Sequence, residues 1–301
     1  GDVRSPVGRT STTAAGSVDA AKFAVVSCSN YPYGYFHAYR DIADRDDVDA
    51  VIHLGDYIYE YGMGEYATER AEVLGRVPDP LNEILTLSDY RRRYAQYRGD
   101  PDLQAMHGRH PVIAVWDDHE IANDGWRDGA ENHGNHAEVD EGAWSARRDA
   151  AIQAWFEWLP VRGEPNGRKT RIFRDFRWGD LLQLVMLDTR FYGREQQPDI
   201  SATDGTRESI EGILNHGKRR MLGRSQERWL RKRLRDKGTT WHAIGQQVMM
   251  SPLYTPDLEP LLDLEKPAMV PHEELQLNIA LSKSNPPVLL DTWGGYPWAR
   301  E

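Results

Sequence analysis

The chain has 301 residues, of which 40% are hydrophobic, 28% are charged and one is a cysteine, and its formal net charge is −10. This length and apolar fraction suffice for one large domain, or two modest ones, with a buried core. The single cysteine excludes an intrachain disulfide, and the negative charge argues against a nucleic-acid partner. No apolar run approaches the roughly 18 residues that a membrane-spanning helix needs.

The first 60 or so residues contain a strand–helix–strand pattern. Residues 1–20 are small, polar and aperiodic, which predicts a linker. Residues 22–28 (KFAVVSC) are typical of a buried strand, residues 34–46 of an amphipathic helix and residues 50–55 of a second strand. A unit of about 30 residues with this order predicts two parallel strands joined by a right-handed crossover.

The middle of the chain repeats this design after a long irregular stretch. Residues 60–87 lack periodicity and predict a loop or lid, and residues 88–98 predict a helix with Ser88 as its N-cap. A second short helix is expected before Pro111. The sequence PVIAVWDDHE at 111–120 then predicts another apolar strand with an acidic tip.

The rest of the chain continues the alternation. The predicted elements are a loop at 123–142, a helix at 143–159, strands at 171–178 and 181–187 joined by a hairpin turn at Gly179–Asp180, a helix from Ser225 to about Lys237, a strand at 240–248 and a short helix near 273–283. Alternating strands and helices predict an α/β sandwich, in which ligands bind beyond the carboxyl ends of the strands.

Three of the predicted strands end in residues with reactive or ionisable side chains. These residues are Cys28, Asp56 and the pair Asp117–Asp118. Because the carboxyl ends of neighbouring parallel strands meet at one edge of a sheet, these tips are expected to form one composite site.

The sequence GDYIY at 55–59 suggests a metal centre. A strand delivers the carboxylate of Asp56 to its tip, and the next turn brings back the phenol of Tyr59. This pair suits a hard trivalent cation such as Fe(III), which can deprotonate a phenol whose free pKa is about 10. The alternative is that the pair only caps a loop. Cys28 is interpreted as a thiolate ligand, with a small buried thiol and a nucleophile as alternatives.

The acidic tip of the third strand offers further candidates. Two adjacent carboxylates remain ionised only beside a cation or in solvent. We interpret Asp118 as a metal ligand and His119 as a proton donor or substrate contact, and alternation predicts that Asp117 points away from Asp118. The alternative is a solvated helix N-terminus, where acids are favoured. Asn123 lies one turn later and joins the candidate ligands.

A fourth apolar strand ends in LDTR, which contains Asp188 and Arg190. The guanidinium of Arg190 can grip phosphate oxygens in a bidentate manner, or it can form a structural ion pair; the sequence leaves both open. His53 lies inside a strand and is expected to be a hydrogen-bonded core histidine.

These residues and their surroundings resemble a known family. The segments SPVGRT, FAVVSCSNYPYGYFHAYRDIA, HLGDYIYEYG, YRRRYAQYRGDPDLQAMH, VWDDHE, MLDTR, GQQVMMSPL and DTWGGYP, between residues 5 and 297, resemble the PhoD-type alkaline phosphatases of the metallophosphoesterase superfamily. The resemblance implies a metallophosphoesterase-like sandwich of mixed β-sheets flanked by helices.

The resemblance also implies roles for individual residues. Asp56 matches the bridging carboxylate and Tyr59 the Fe(III) ligand of the superfamily. Asp118 stands where the superfamily has asparagine, and His119 stands where it has the catalytic histidine. Cys28 replaces the usual aspartate of the first motif, as is typical of the PhoD-type branch. That branch is an iron–calcium enzyme that is exported, so the resemblance implies Fe(III) and Ca(II) as cofactors and a secreted or periplasmic location.

The resemblance further implies hydrolysis of a small phosphate ester, a monoester and also a diester, by a metal-activated hydroxide. The family usually carries a β-sandwich before SPVGRT and a late GDxHxS-like motif that completes the metal site. We therefore expect 1–20 to be a linker from such a β-sandwich and 21–301 to be the metallophosphatase core without its C-terminal part. The alternative is a non-catalytic fragment or binding protein with an incomplete metal site.

Overall fold

The computed structural model describes residues 7–134, 140–167, 169–200, 203, 206–256, 259–260, 279, 282, 285 and 287–301. The chain divides into two compact units. The first comprises Gly1–Gly193 and Leu222–Gln247, and the second comprises Arg194–Met221 and Val248–Glu301.

The first unit contains a parallel sheet of three strands, β1 (Phe23–Val26), β2 (Ala50–His53) and β3 (Val112–Ala114), in the order β1-β2-β3. The predicted parallel pairing is confirmed. Strands β1 and β2 end earlier than predicted because the chain leaves the extended conformation at their tips: Cys28 has φ 60° and Asp56 has φ 54°.

A second sheet in the same unit is mixed. Strands β4 (Arg174–Trp178) and β5 (Leu182–Met186) pair antiparallel across the predicted turn, and β6 (Trp241–Gly245) pairs parallel with β5. The predicted hairpin and the later strand are confirmed.

The helices of the described part of the chain are α1 (His37–Ala43), α2 (Ala71–Leu74), α3 (Leu87–Arg98), α4 (Pro101–Arg109), α5 (Trp144–Trp158), α6 (Arg207–Asn215), α7 (Gly223–Leu234) and α8 (Pro297–Arg300). Among the described residues, no helix combines the length and the apolar character that crossing a membrane requires. In the second unit, α6 and α8 accompany a short antiparallel pair, β7 (Leu253–Tyr254) and β8 (Pro287–Val288).

Helix α7 differs from the prediction of 225–237 at both ends. It begins two residues earlier and ends at Leu234, three residues before the predicted end. The side chain of Asp236 accepts a hydrogen bond from the backbone N–H of Gly238 at 2.9 Å. Such a local turn competes with the helix, which therefore stops before the predicted end at Lys237. The helix predicted near 273–283 lies outside the described residues, apart from 279 and 282.

The core of the first unit lies between the sheets and the helices and is rich in aromatic residues. Trp116 and Trp155 are fully buried and meet edge to face, with ring centroids 5.0 Å apart. The two sheets contact each other through Phe23 of β1 and Trp178 of β4, whose centroids are 4.7 Å apart. The predicted fold class, a sandwich of mixed β-sheets flanked by helices, is confirmed.

The N-terminus of α3 shows why one predicted cap was wrong. The side chain of Thr86 accepts the backbone N–H of Asp89 at 3.3 Å, and the carboxylate of Asp89 accepts the N–H of Thr86 at 3.0 Å. This reciprocal pair is a capping box. The predicted cap, Ser88, lies inside the helix because an acidic residue three positions after Thr86 fixes the boundary there.

We expect Thr86→Ala to lower the free energy of unfolding by about 1 kcal/mol, because it removes the acceptor of a helix N-terminal N–H group. Ser88→Ala is the matched control and is expected to change it by less than about 0.5 kcal/mol, as an exposed substitution away from a cap. Urea unfolding of both variants measures the difference. Equal losses in the two would contradict the assigned cap.

Candidate metal centre

The tips of β1 and β2 are tied together by backbone hydrogen bonds. The N–H of Cys28 donates to the carbonyl of Gly55 at 3.2 Å, and the N–H of Ser29 donates to the carbonyl of Asp56 at 2.8 Å. Both Cys28 and Asp56 have the positive φ that L residues rarely adopt. Such strain persists only where the surroundings fix it, and it is concentrated at functional sites.

Gly55 allows the tips of β2 and β3 to approach. It has φ +113°, and a Cβ atom there would lie 2.3 Å from the backbone nitrogen of Asp117 and 2.8 Å from the carbonyl carbon of Trp116. Both neighbours are backbone atoms that cannot rotate away. A glycine at this position is therefore required for the acidic tip of β3 to meet the tip of β2.

Five of the predicted site residues come together at these tips. The ligand atoms of Asp56, Asp118 and His119 lie within 4.8 Å of one another. The Sγ atom of Cys28 lies 3.4 Å from Oδ2 of Asp56, and the hydroxyl of Tyr59 donates to the same oxygen at 3.1 Å. The other oxygen of Asp56, Oδ1, is buried and has no hydrogen-bond partner among the residues that the structure describes.

The donor set fits a metal ion. Burial, and then the charge of Asp56, raise the pKa of the Cys28 thiol to about 11. The same two causes raise the pKa of the Tyr59 phenol far above its usual range. Without a cation both groups keep their protons, whereas a bound cation favours the thiolate and the phenolate. The buried oxygen of Asp56 that lacks a hydrogen bond is also available to coordinate a cation.

His119 is held by a carboxylate and an aromatic ring. Its Nδ1 lies 2.8 Å from Oε2 of the buried Glu60, and its ring stacks on Tyr59 with centroids 4.2 Å apart. Burial disfavours the imidazolium, but the carboxylates of Glu60, Asp118 and Asp56 outweigh it and raise the pKa of His119 well above its usual range.

Two buried acids that support the site were missed by the sequence reasoning. Glu60 also accepts the backbone N–H of Asn123 at 2.6 Å. Glu120 accepts the backbone N–H groups of Tyr57 at 2.6 Å and Asp117 at 2.7 Å, and thereby joins the loops after β2 and β3. The sequence offered one indication for both: each acid ends a motif that contains candidate ligands, Glu60 in GDYIYE and Glu120 in DDHE.

Arg190 contacts both acids of the β3 tip. Its Nε donates to Asp117, and its Nη2 lies 3.3 Å from Oδ1 of Asp118. The expectation that Asp117 points away from Asp118 is therefore wrong. Strand β3 ends at Ala114, so side-chain alternation no longer applies at these positions. Asp188 in turn accepts the backbone N–H of Arg190 at 2.9 Å.

Two further residues considered from the sequence, Asn123 and His53, each have a hydrogen-bond partner in the structure. The side-chain amide of Asn123 donates to the carboxylate of Glu131 at 3.2 Å, so its assignment as a metal ligand stays a prediction. His53 is fully buried, and its Nε2 forms a hydrogen bond of 2.9 Å with the hydroxyl of Tyr39. It is a core histidine, as we expected.

We expect Gly55→Ala to lower the free energy of unfolding by at least about 2 kcal/mol, because it combines a backbone clash with a φ that alanine rarely adopts. Thermal or urea unfolding measures the loss. Gly64→Ala is the matched control for φ alone, since Gly64 has φ +89° and no atom within 4 Å of the position of a new Cβ. An equal loss in both variants would show that the approach of the strand tips is not the cause.

The single cysteine allows a direct test of the thiol. With a pKa of about 11, the thiolate fraction of the metal-free chain rises about tenfold per pH unit between pH 7 and 10. Iodoacetamide should therefore label Cys28 with a rate that still increases above pH 9, whereas labelling of free cysteine, with a pKa of about 8.5, levels off there. A plateau at the pH of free cysteine would contradict the assigned surroundings of the thiol.

Comparison with known proteins identifies relatives of this chain. The model of the PhoD-like phosphatase family matches residues 23–301. Alkaline phosphatase D of Bacillus subtilis (strain 168) is 36% identical over 301 residues, which are 99% of this chain and 45% of that protein. A solved structure described as the structure of PhoD is 34% identical with a TM-score of 0.76, over 98% of this chain and 50% of that one. The chain thus spans about half the length of the relatives it matches, and it belongs to the PhoD-like phosphatase family.

Proposed function

We propose that the chain is a metal-dependent phosphate ester hydrolase, an alkaline phosphatase that acts on phosphomonoesters and also on phosphodiesters. The observation that carries the proposal is the convergence of Cys28, Asp56, Tyr59, Asp118 and His119 at three strand tips. The family and the name of the Bacillus relative support the same reaction class.

The donor set suggests which residues would hold which ions. The thiolate of Cys28, the carboxylate of Asp56 and the phenolate of Tyr59 suit Fe(III). The carboxylate of Asp118, together with the amide of Asn123, suits Ca(II), which prefers oxygen ligands. When bound, such cations act as Lewis acids and lower the pKa of water toward neutrality.

The remaining polar groups would act on the ester itself. His119 would donate a proton to the leaving oxygen, and Glu60 fixes the orientation of its ring through the 2.8 Å bond to Nδ1. Arg190, whose Nη2 lies 3.3 Å from Asp118, would offset negative charge on the phosphoryl oxygens. His119 and Arg190 are therefore the proposed catalytic residues.

We also propose a secreted or periplasmic location, which rests on the family resemblance. The rival function is a binding protein that retained the scaffold without the chemistry, and the experiment below separates the two.

Asp56→Asn is expected to lower kcat for p-nitrophenyl phosphate by at least about 10³-fold, because it removes the carboxylate that the proposed metal site shares. Metal content and the visible thiolate or phenolate charge-transfer band of the iron-loaded chain should fall with it, while circular dichroism stays unchanged. Asp46→Asn is the matched control, since the side chain of Asp46 is 85% exposed.

Full turnover in Asp56→Asn would remove this residue from the site. A wild-type chain that binds no metal and hydrolyses no ester would favour the binding protein instead.

A further inference from the structure

We propose that a groove beside Cys28 binds the alcohol part of the ester and that Tyr33 selects substrates in which this part carries a flat, uncharged ring. The inference rests on the proposed phosphatase function and adds a specificity-determining residue to it. The groove has a volume of about 430 Å³, and its lining includes Cys28 together with Tyr33, Tyr35 and Phe36.

The groove is uncharged. Its described lining consists of aliphatic, hydroxyl, amide and aromatic residues around Cys28, without a lysine, arginine, aspartate, glutamate or histidine. A polyanionic substrate would need cations along its path. The groove therefore fits the neutral part of a substrate, while the charged phosphoryl group belongs at the cluster around Asp56.

Tyr33 is presented by a rigid turn. It ends the 3-10 turn Tyr31–Tyr33, in which Pro32 is buried. The backbone N–H of Tyr31 donates to the hydroxyl of Tyr97 at 3.0 Å, and the guanidinium of Arg76 lies 3.5 Å from the centroid of the Tyr31 ring. These contacts fix the turn, so little conformational entropy would be lost when a ligand packs against it.

The two exposed tyrosines of the groove differ in their contacts. Tyr35 is 56% exposed, its hydroxyl donates to the carbonyl of Leu74 at 3.1 Å, and its ring stacks on His37. Tyr33 is 68% exposed, and its ring makes no hydrogen bond and no ring contact within the part of the chain that the structure describes. Its face is therefore open to a ligand, whereas Tyr35 forms a fixed wall.

An exposed aromatic side chain on a rigid turn is suited to stacking on rings. Aromatic rings and the apolar faces of sugar rings share the required shape and lack of charge. A substrate of this class would place its phosphate at the strand tips and its ring on Tyr33.

The test compares three phosphate esters on the full chain loaded with iron and calcium: 2-naphthyl phosphate, a hexose phosphate and ethyl phosphate. Tyr33→Ala is expected to lower kcat/KM for at least one ring-bearing ester about tenfold, mainly through KM, since one stacked ring contributes roughly that much. Hydrolysis of ethyl phosphate should change less than about twofold. Each rate is divided by that of the wild type, which cancels the reactivity of the leaving group.

Two further variants serve as references. Tyr33→Phe retains the ring and should behave as the wild type with all three esters. Trp241→Ala removes an aromatic residue of similar exposure, 66%, from strand β6, outside the groove, and should leave all rates unchanged.

Each outcome decides the proposal. A loss for naphthyl phosphate alone identifies an aromatic group, a loss for the hexose phosphate alone identifies a sugar, and a loss for both supports the shared shape. An equal effect on ethyl phosphate, or no effect on either ring-bearing ester, would overturn the role of Tyr33. If the wild type hydrolyses no ester, the proposed function fails, and calorimetric binding of naphthyl phosphate to the wild type and to Tyr33→Ala still decides the role of the groove.

Discussion

The close approach of strands β2 and β3 at their carboxyl ends is the constraint on which the site depends. Gly55 permits it, because any side chain there would overlap the backbone of Asp117. Glu120 then holds the two loops together by accepting backbone N–H groups from both sides. A buried carboxylate with several such donors is fixed in place, so the ligand-bearing loops inherit the rigidity of the sheet rather than the mobility of surface loops.

This arrangement concentrates negatively charged side chains in a buried space. Asp56 and Asp118 lie close together, Glu60 contacts His119 on its other side, and the positive groups His119 and Arg190 contact these acids. Buried carboxylates of this density repel unless cations compensate them. The raised pKa of His119 and the unpaired oxygen of Asp56 both reflect an excess of buried negative charge over positive charge. A metal ion is the simplest way to correct both, and this is why the geometry favours Cys28 as a metal ligand over Cys28 as a nucleophile.

The sequence predicted those parts of the molecule that local rules determine. The parallel strands, the hairpin before Leu182 and the strand tips at Cys28 and Asp56 follow from periodicity and turn chemistry. What it missed depends on tertiary contacts. Glu60 looked like an ordinary loop acid, because its partner His119 lies 59 residues away along the chain. The predicted orientation of Asp117 was wrong because the alternation of side chains along a strand stops at Ala114, where β3 ends.

The residues proposed for catalysis and those proposed for substrate selectivity lie on different structural elements. The proposed metal ligands lie at strand tips, where backbone hydrogen bonds between neighbouring strands fix their positions. The aromatic turn Tyr31–Tyr33 lies outside the sheet and is held by the hydroxyl of Tyr97, which accepts the backbone N–H of Tyr31, and by the guanidinium of Arg76 over the Tyr31 ring. Substitutions in this turn can therefore change the proposed alcohol-binding surface without moving the proposed metal ligands. Under the proposed function, such a separation would let one hydrolytic centre serve different esters, because loops vary more readily than the sheet beneath them.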